Sequence, residues 1–172
     1  MVNYRRNKSG NPDDEFFFTI VTGDRQPWFE GKPERDLVHD TMGYIRKKYH
    51  IVYKAWVILP DHLHLLLKSP VADYSRVIWD FKRNLTYKFR RIGQINPGVN
   101  LWQDRFWEET IRDDKHYNNC VDYIHYNPVK HGLVTSPASW EHSSIHNYIR
   151  KGYIPPDWGD GSWTYIEGAE YD

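Results

Sequence analysis

The sequence predicts an α+β fold, an antiparallel sheet with helices packed on one face. Three observations carry this expectation. Short aromatic and β-branched runs alternate with longer stretches of helical periodicity. Two of the strand-like runs are separated only by Pro60 and Asp61, a turn too short for anything but an antiparallel hairpin. The order of elements, β-α-β-β-α-β-α, is that of a split βαβ, ferredoxin-like arrangement.

The first element, "EFFFTIVT" (15–22), is bounded by "NPDD" and "GDRQP" and reads as a strand. From Pro33, "PERDLVHDTMGYIRKKYH" carries Leu37, Val38, Met42 and Ile45 at helical spacing. Its acidic residues come early and Arg46, Lys47 and Lys48 late, which suits the helix dipole. "IVYKAWVIL" is the second strand, and "HLHLLLK" the third. Between them Pro60 fixes φ and cannot donate to a ladder, while Asp61 favours turn conformations. "DYSRVIWDFKRNLTYKFRRIG" is a basic amphipathic helix with Val77, Ile78, Phe81, Leu85 and Phe89 on one face. "GQINPGVN" is a loop, and "LWQDRFWEETI" contains a short strand. Asp113 or Asp114 caps a last helix that runs to about Asn127, where Pro128 is expected to end it. The whole reads as one domain over residues 1–172, with a basic N-terminal arm (1–12). A Pro-, Gly- and Trp-rich tail (about 136–172) is expected to wrap the surface.

Charge is balanced, with 23 Lys and Arg against 23 Asp and Glu. Any contact with nucleic acid must therefore come from a local basic patch. Aromatics make up 16% of the chain, enough for a core and for platforms that stack unpaired bases. The single cysteine, Cys120, excludes an internal disulfide and a CxxC zinc cluster. No apolar run is long enough to span a bilayer and no secretion signal is recognisable, so a cytoplasmic protein is expected.

The chemistry concentrates in two places. His62 and His64 lie two apart on a strand, so both project from one face while Leu63 and Leu65 point to the other. Two imidazoles so placed can converge on one cation. In "CVDYIHYNPVKHG", Tyr123 and Asn127 are four apart, hence about 40° apart around a helix and one turn along it. The amide oxygen of Asn127 is a hard ligand suited to Mg²⁺ or Mn²⁺, and Tyr123 would stand over the same centre as a nucleophile. Tyr126 lies about 100° round from Asn127 and points elsewhere.

Taken together, "LPDHLHLLL", "LWQDRFWEETIRD" and "YIHYNPVKHGLV" closely resemble the REP-associated tyrosine transposases, in the single-tyrosine branch of the HUH (His-hydrophobic-His) nucleases. "YRR" (Tyr4, Arg5, Arg6) and "YIPPDWG" fit as well, so the resemblance spans nearly the whole chain. It implies the HUH endonuclease fold, His62 and His64 as metal histidines, Tyr123 as nucleophile and Asn127 as the polar metal ligand. Relatives in the mobile-element branch carry Gln at that last position, so the shorter Asn requires a helix nearer the metal. The resemblance also implies single-stranded DNA at REP hairpins, short palindromes repeated through bacterial genomes, as the partner. A nucleoid-associated monomer is expected, with a homodimer as the alternative.

On this reading Tyr123 attacks a phosphate polarised by the metal, giving a 5′-phosphotyrosine and a 3′-OH that can later rejoin strands. His125 and His131 are the nearby candidates to take the tyrosine proton. DNA contacts are expected from Tyr4, Arg5 and Arg6, whose segment in the family reads a tetranucleotide; the arginines suit bidentate pairing with guanine. Lys82 and Arg83 on the basic helix, and Trp102 and Arg105 beside the short strand, are further candidates. Three rivals stand against this reading: another HUH enzyme such as a relaxase, a metal hydrolase using the histidine pair, and a catalytically silent DNA-binding protein.

Overall fold

A computed structural model describes residues 13–71 and 73–161. The N-terminal arm with Tyr4, Arg5 and Arg6, and the end of the tail, lie outside the described residues. Strands β1 (Glu15–Val21), β2 (Val52–Ile58), β3 (His62–Lys68) and β4 (Trp107–Thr110) form one sheet in the order β2-β3-β1-β4. All three pairings are antiparallel. The helices are α1 (Lys32–Tyr49), α2 (Tyr74–Arg91), α3 (Asp114–Lys130) and α4 (Ile145–Arg150). Among the described residues no helix is long and apolar enough to cross a membrane.

Local chemistry explains the helix ends. The Asp73 carboxylate accepts from the Arg76 N–H at 3.2 Å, and Asp113 accepts from His116 N–H at 2.7 Å. Such caps stabilise a helix by about 1 kcal/mol each. Pro33 sits in the first turn of α1, where its missing N–H is harmless.

Strand alternation sorts the sheet into two cores. Phe16, Phe18 and Ile20 of β1, with Leu63, Leu65 and Leu67 of β3, pack against Val38, Met42 and Ile45 of α1 and Phe81, Leu85 and Phe89 of α2. The residues between them, Phe17 and Leu66, face the other way and pack with Cys120, Val121 and Ile124 of α3. Helices were expected on one face. Here α1 and α2 share one, while α3 covers the other.

Two further expectations are corrected. Pro128 does not end α3, which runs to Lys130. Proline removes only the N–H that would have bonded to Ile124, a small loss in a last turn. The helix stops at Gly132, whose φ of 68° lets its N–H reach Val129 O at 2.9 Å and Leu133 N–H reach Pro128 O at 2.9 Å. The segment after Thr135 does more than wrap the surface. Ser143 bridges to Val57, Ile58 N–H bonds to His142 O at 3.0 Å, and Ser144 N–H bonds to Trp56 O at 2.9 Å. The unpaired edge of β2 is thereby covered.

Candidate active site

His62 opens β3, directly opposite Val21, and His64 lies opposite Thr19. Both imidazoles are buried, and their centroids are 4.9 Å apart at 80°. Each is held through Nδ1. Thr19 Oγ1 is 2.9 Å from His64 Nδ1, and Asp61 Oδ1 is 2.5 Å from His62 Nδ1. Arg25 in turn pairs with Asp61 at 3.2 Å. Burial raises the Asp61 carboxyl, but His62 and Arg25 outweigh it and hold the group below the usual carboxylate range. With both Nδ1 atoms engaged, Nε2 is the nitrogen each ring would offer to a metal.

The α3 helix brings the rest. The Tyr123 ring lies 5.2 Å from that of His64, and the His131 ring 5.0 Å from that of His62. Residues 123, 127 and 131 form one row along a helix face. Asn127 is bracketed by two residues that touch the histidine pair, so it faces the same pair. It is fully buried, and neither amide atom has a hydrogen-bond partner among the described residues. Leaving such an amide unsatisfied costs about 1–3 kcal/mol per group, so the position suits a ligand better than packing. Among the described residues no trio of His, Cys, Asp and Glu could hold a metal. The donor set the geometry offers is therefore two imidazoles and one amide oxygen, which fits a hard divalent cation.

Because α3 continues past Pro128, it adds a group the sequence reading missed. Lys130 Nζ donates to the Tyr123 hydroxyl at 3.2 Å and stands 4.9 Å from its ring centroid. The signal was present as the spacing 123–130, seven residues or about two turns, but was hidden by ending the helix at the proline. Of the two histidines considered for the tyrosine proton, His125 is on the far side of α3. It is buried, bonded through Nε2 to Ser144 Oγ at 2.8 Å, and burial depresses its pKa to about 3. Tyr126 packs near Trp158 at 6.5 Å, away from the pair.

The expected DNA contacts fare unevenly. Trp102 is in the core, its Nε1 donating to Lys82 O at 3.1 Å and Thr86 Oγ1 at 3.0 Å, so it cannot serve as a stacking platform. Lys82 turns inward to Gln103 O at 2.9 Å, and burial lowers its pKa to about 8. Trp102 is thus closed to a strand, whereas Lys82 is half-buried with its ammonium already engaged. Arg105 is exposed, and Arg83 is exposed with its guanidinium 5.2 Å from the Trp79 ring centroid.

Residues 15–127 match the family profile described as "Transposase IS200 like". A candidate REP-associated tyrosine transposase of Haemophilus influenzae is 36% identical, over 98% of this chain and 99% of that protein. The REP-associated tyrosine transposase of Escherichia coli is 33% identical over 89% of each chain. A solved structure of a REP-associated tyrosine transposase bound to a REP hairpin is 28% identical, covers 96% of each chain and superposes with a TM-score of 0.80. The helix row, the histidine pair and these likenesses converge: the chain belongs to the REP-associated tyrosine transposases of the IS200-like family.

Proposed function

We propose that this chain is a metal-dependent nickase and strand transferase for single-stranded DNA at REP-type hairpins, acting through a 5′-phosphotyrosine on Tyr123. Membership of a transposase family carries DNA nicking and joining as the activity class. The substrate is assigned from the homologue bound to a REP hairpin. The residue roles are supported most by one observation: Tyr123 and His131, with Asn127 between them on the same helix row, meet the buried pair His64 and His62.

A divalent cation such as Mg²⁺ or Mn²⁺, held by His62, His64 and Asn127, would supply Lewis acidity at the scissile phosphate. The chain's own residues do the rest. Thr19 and Asp61 fix the two imidazoles through Nδ1. Phe17 stacks on His64 at 5.6 Å and meets the Tyr123 ring edge-on at 6.1 Å, closing the apolar side of the site. A phenol has an ordinary pKa near 10 and is a weak nucleophile while it keeps its proton. The Lys130 ammonium, donating to that oxygen, favours the anion. Attack forms a phosphorus–oxygen bond to Tyr123 and breaks the one to the 3′ oxygen, which leaves as a 3′-OH after taking up a proton. One phosphoester replaces another, so a second 3′-OH can reverse the step and join strands. Tyr123 meets His64 within one chain, and we assign the monomer as the working unit.

The test is a labelled single-stranded hairpin incubated with Mg²⁺ or Mn²⁺ and run on a denaturing protein gel. The expected result is a covalent band that disappears in Tyr123→Phe while hairpin binding stays within about twofold. Cleavage without a band would point to a hydrolase, and a gel shift alone to a binder.

A further inference from the structure

The helix α2 carries six basic residues against Asp80 alone, hence a net charge of +5 in a chain whose formal charge is zero. That single carboxylate faces α1, where it is engaged by Lys48 and by the Tyr49 hydroxyl at 2.7 Å. The outward face of α2 is left wholly basic, and Arg76, Arg83, Arg90 and Arg91 are exposed with no ion-pair partner among the described residues. The same face displays two large rings that core packing does not use: Trp79 is 57% exposed and Tyr87 61%. A single exposed ring is ordinary, but two on one helix face among arginines form a patch suited to a ligand. Trp79, Arg83, Tyr87 and Arg91 follow one another at intervals of four, so they form a single row along the helix. Each ring already holds an arginine over its face, Arg83 at 5.2 Å from Trp79 and Arg91 at 5.8 Å from Tyr87.

We propose that this row is a second DNA-binding surface, a stacking ladder for single-stranded DNA on the side of the sheet opposite to Tyr123. The spacing fits. The two rings stand about 12 Å apart along the axis with Arg83 midway. An extended single strand advances by roughly 6 Å per nucleotide, close to the limit that covalent backbones allow, so alternate bases can meet Trp79 and Tyr87 while arginines meet the phosphates between. Duplex backbone alone would use the arginines but gives the rings nothing to stack on. An apolar protein partner would need a continuous patch, and the row interrupts its rings with charge. Because α2 and α3 lie on opposite faces of the sheet, a strand on the ladder is held apart from the cleavage centre, as a tether for DNA flanking the hairpin.

The surface is tested by fluorescence anisotropy of labelled (dT)12, and of a 12-base-pair duplex, with full-length protein carrying Tyr123→Phe so that no strand is cut. Trp79→Ala and Tyr87→Ala, both solvent-exposed positions whose loss leaves the core intact, should each weaken (dT)12 binding about fivefold or more. Duplex binding should change less than twofold. The pair Arg83→Gln and Arg91→Gln should flatten the slope of log affinity against log salt by about 1.4. With Tyr123 restored, adduct formation on a hairpin with trimmed flanks should be unchanged by the ring variants, so a failure of the tyrosine chemistry is read separately. Equal losses on (dT)12 and duplex, or unaltered (dT)12 affinity in the ring variants with an unchanged thermal midpoint, would overturn the assignment.

Discussion

Replacing Lys130 by Met removes the ammonium that donates to the Tyr123 hydroxyl. At 3.2 Å and an effective dielectric of about 20, an ammonium and a phenolate attract by about 5 kcal/mol. Lys130 is exposed, so solvent screens much of that, and the distance is longer than an ideal charged hydrogen bond. What remains is about 1.5–2 kcal/mol, the lower part of the range for a hydrogen bond to a charged group. Expressed in the transition state, this slows adduct formation by about 10–30-fold. The assay is single-turnover formation of the covalent band at saturating hairpin DNA and Mg²⁺. Lys130→Arg, which keeps the charge, should recover most of the rate. In the Tyr123→Phe background, Lys130→Met should bind the hairpin within about twofold of its parent, which separates the role from phosphate attraction. A Lys130→Met enzyme that forms adduct at the parental rate at neutral pH would refute the reasoning.

Two other outcomes follow from the same geometry. Thr19→Val and Asp61→Ala each remove the group that fixes one imidazole through Nδ1, and each should weaken metal binding about tenfold by calorimetry; unchanged affinity in both would show that the rings need no such support. Lys82 is held by burial at a pKa of about 8, below the value of about 10.4 for an unfolded chain. The unfolded state therefore binds more protons between those limits, and stability rises with pH across that window by about 2–3 kcal/mol from this residue. Urea unfolding at pH 7 to 10 should show that gain in the parent and not in Lys82→Met, and parallel curves would count against it.

Much of this was legible because period is legible. The alternation of "HLHLLLK" already put the imidazoles opposite Leu63 and Leu65, and the cross-strand pairing of β1 with β3 keeps them there. The same alternation implied that a helix meeting His64 must lie across the sheet from the helices packed on Leu65. Gathering all helices on one face overlooked that consequence. The end of α3 was hidden for a different reason. Proline was read by its preference against the preceding α conformation, but a helix near its C-terminus has little left to lose, and Gly132 supplies the real stop. The inward turn of Lys82 and the burial of Trp102 depend on the loop 92–106 folding back over α2, a long-range contact that no local pattern encodes.

The site inherits its precision from packing that has no chemistry of its own. On α3, Cys120 and Ile124 lie on the row next to Tyr123, Asn127 and His131, rotated by about 40–60° around the axis. Both are fully buried in the cluster with Phe17, Ala55, Val57 and Leu66. Whatever fixes Ile124 against the sheet also fixes Tyr123 and Asn127 against the histidines. Asparagine has a short side chain, so the ligand role proposed for Asn127 needs the helix close to the sheet. Its neighbours permit that, since Ala55 on β2 and Cys120 on α3 are the smallest members of the cluster. A larger side chain at either would lift α3 from the sheet by part of a methylene's width. In the ligand role proposed for Asn127, that would carry its amide oxygen beyond the few tenths of an ångström that a metal's ligand shell tolerates. The cysteine is thus explained by its volume, and the seating of the phenol against the imidazoles depends in part on small residues, Ala55 and Cys120, that take no part in the chemistry.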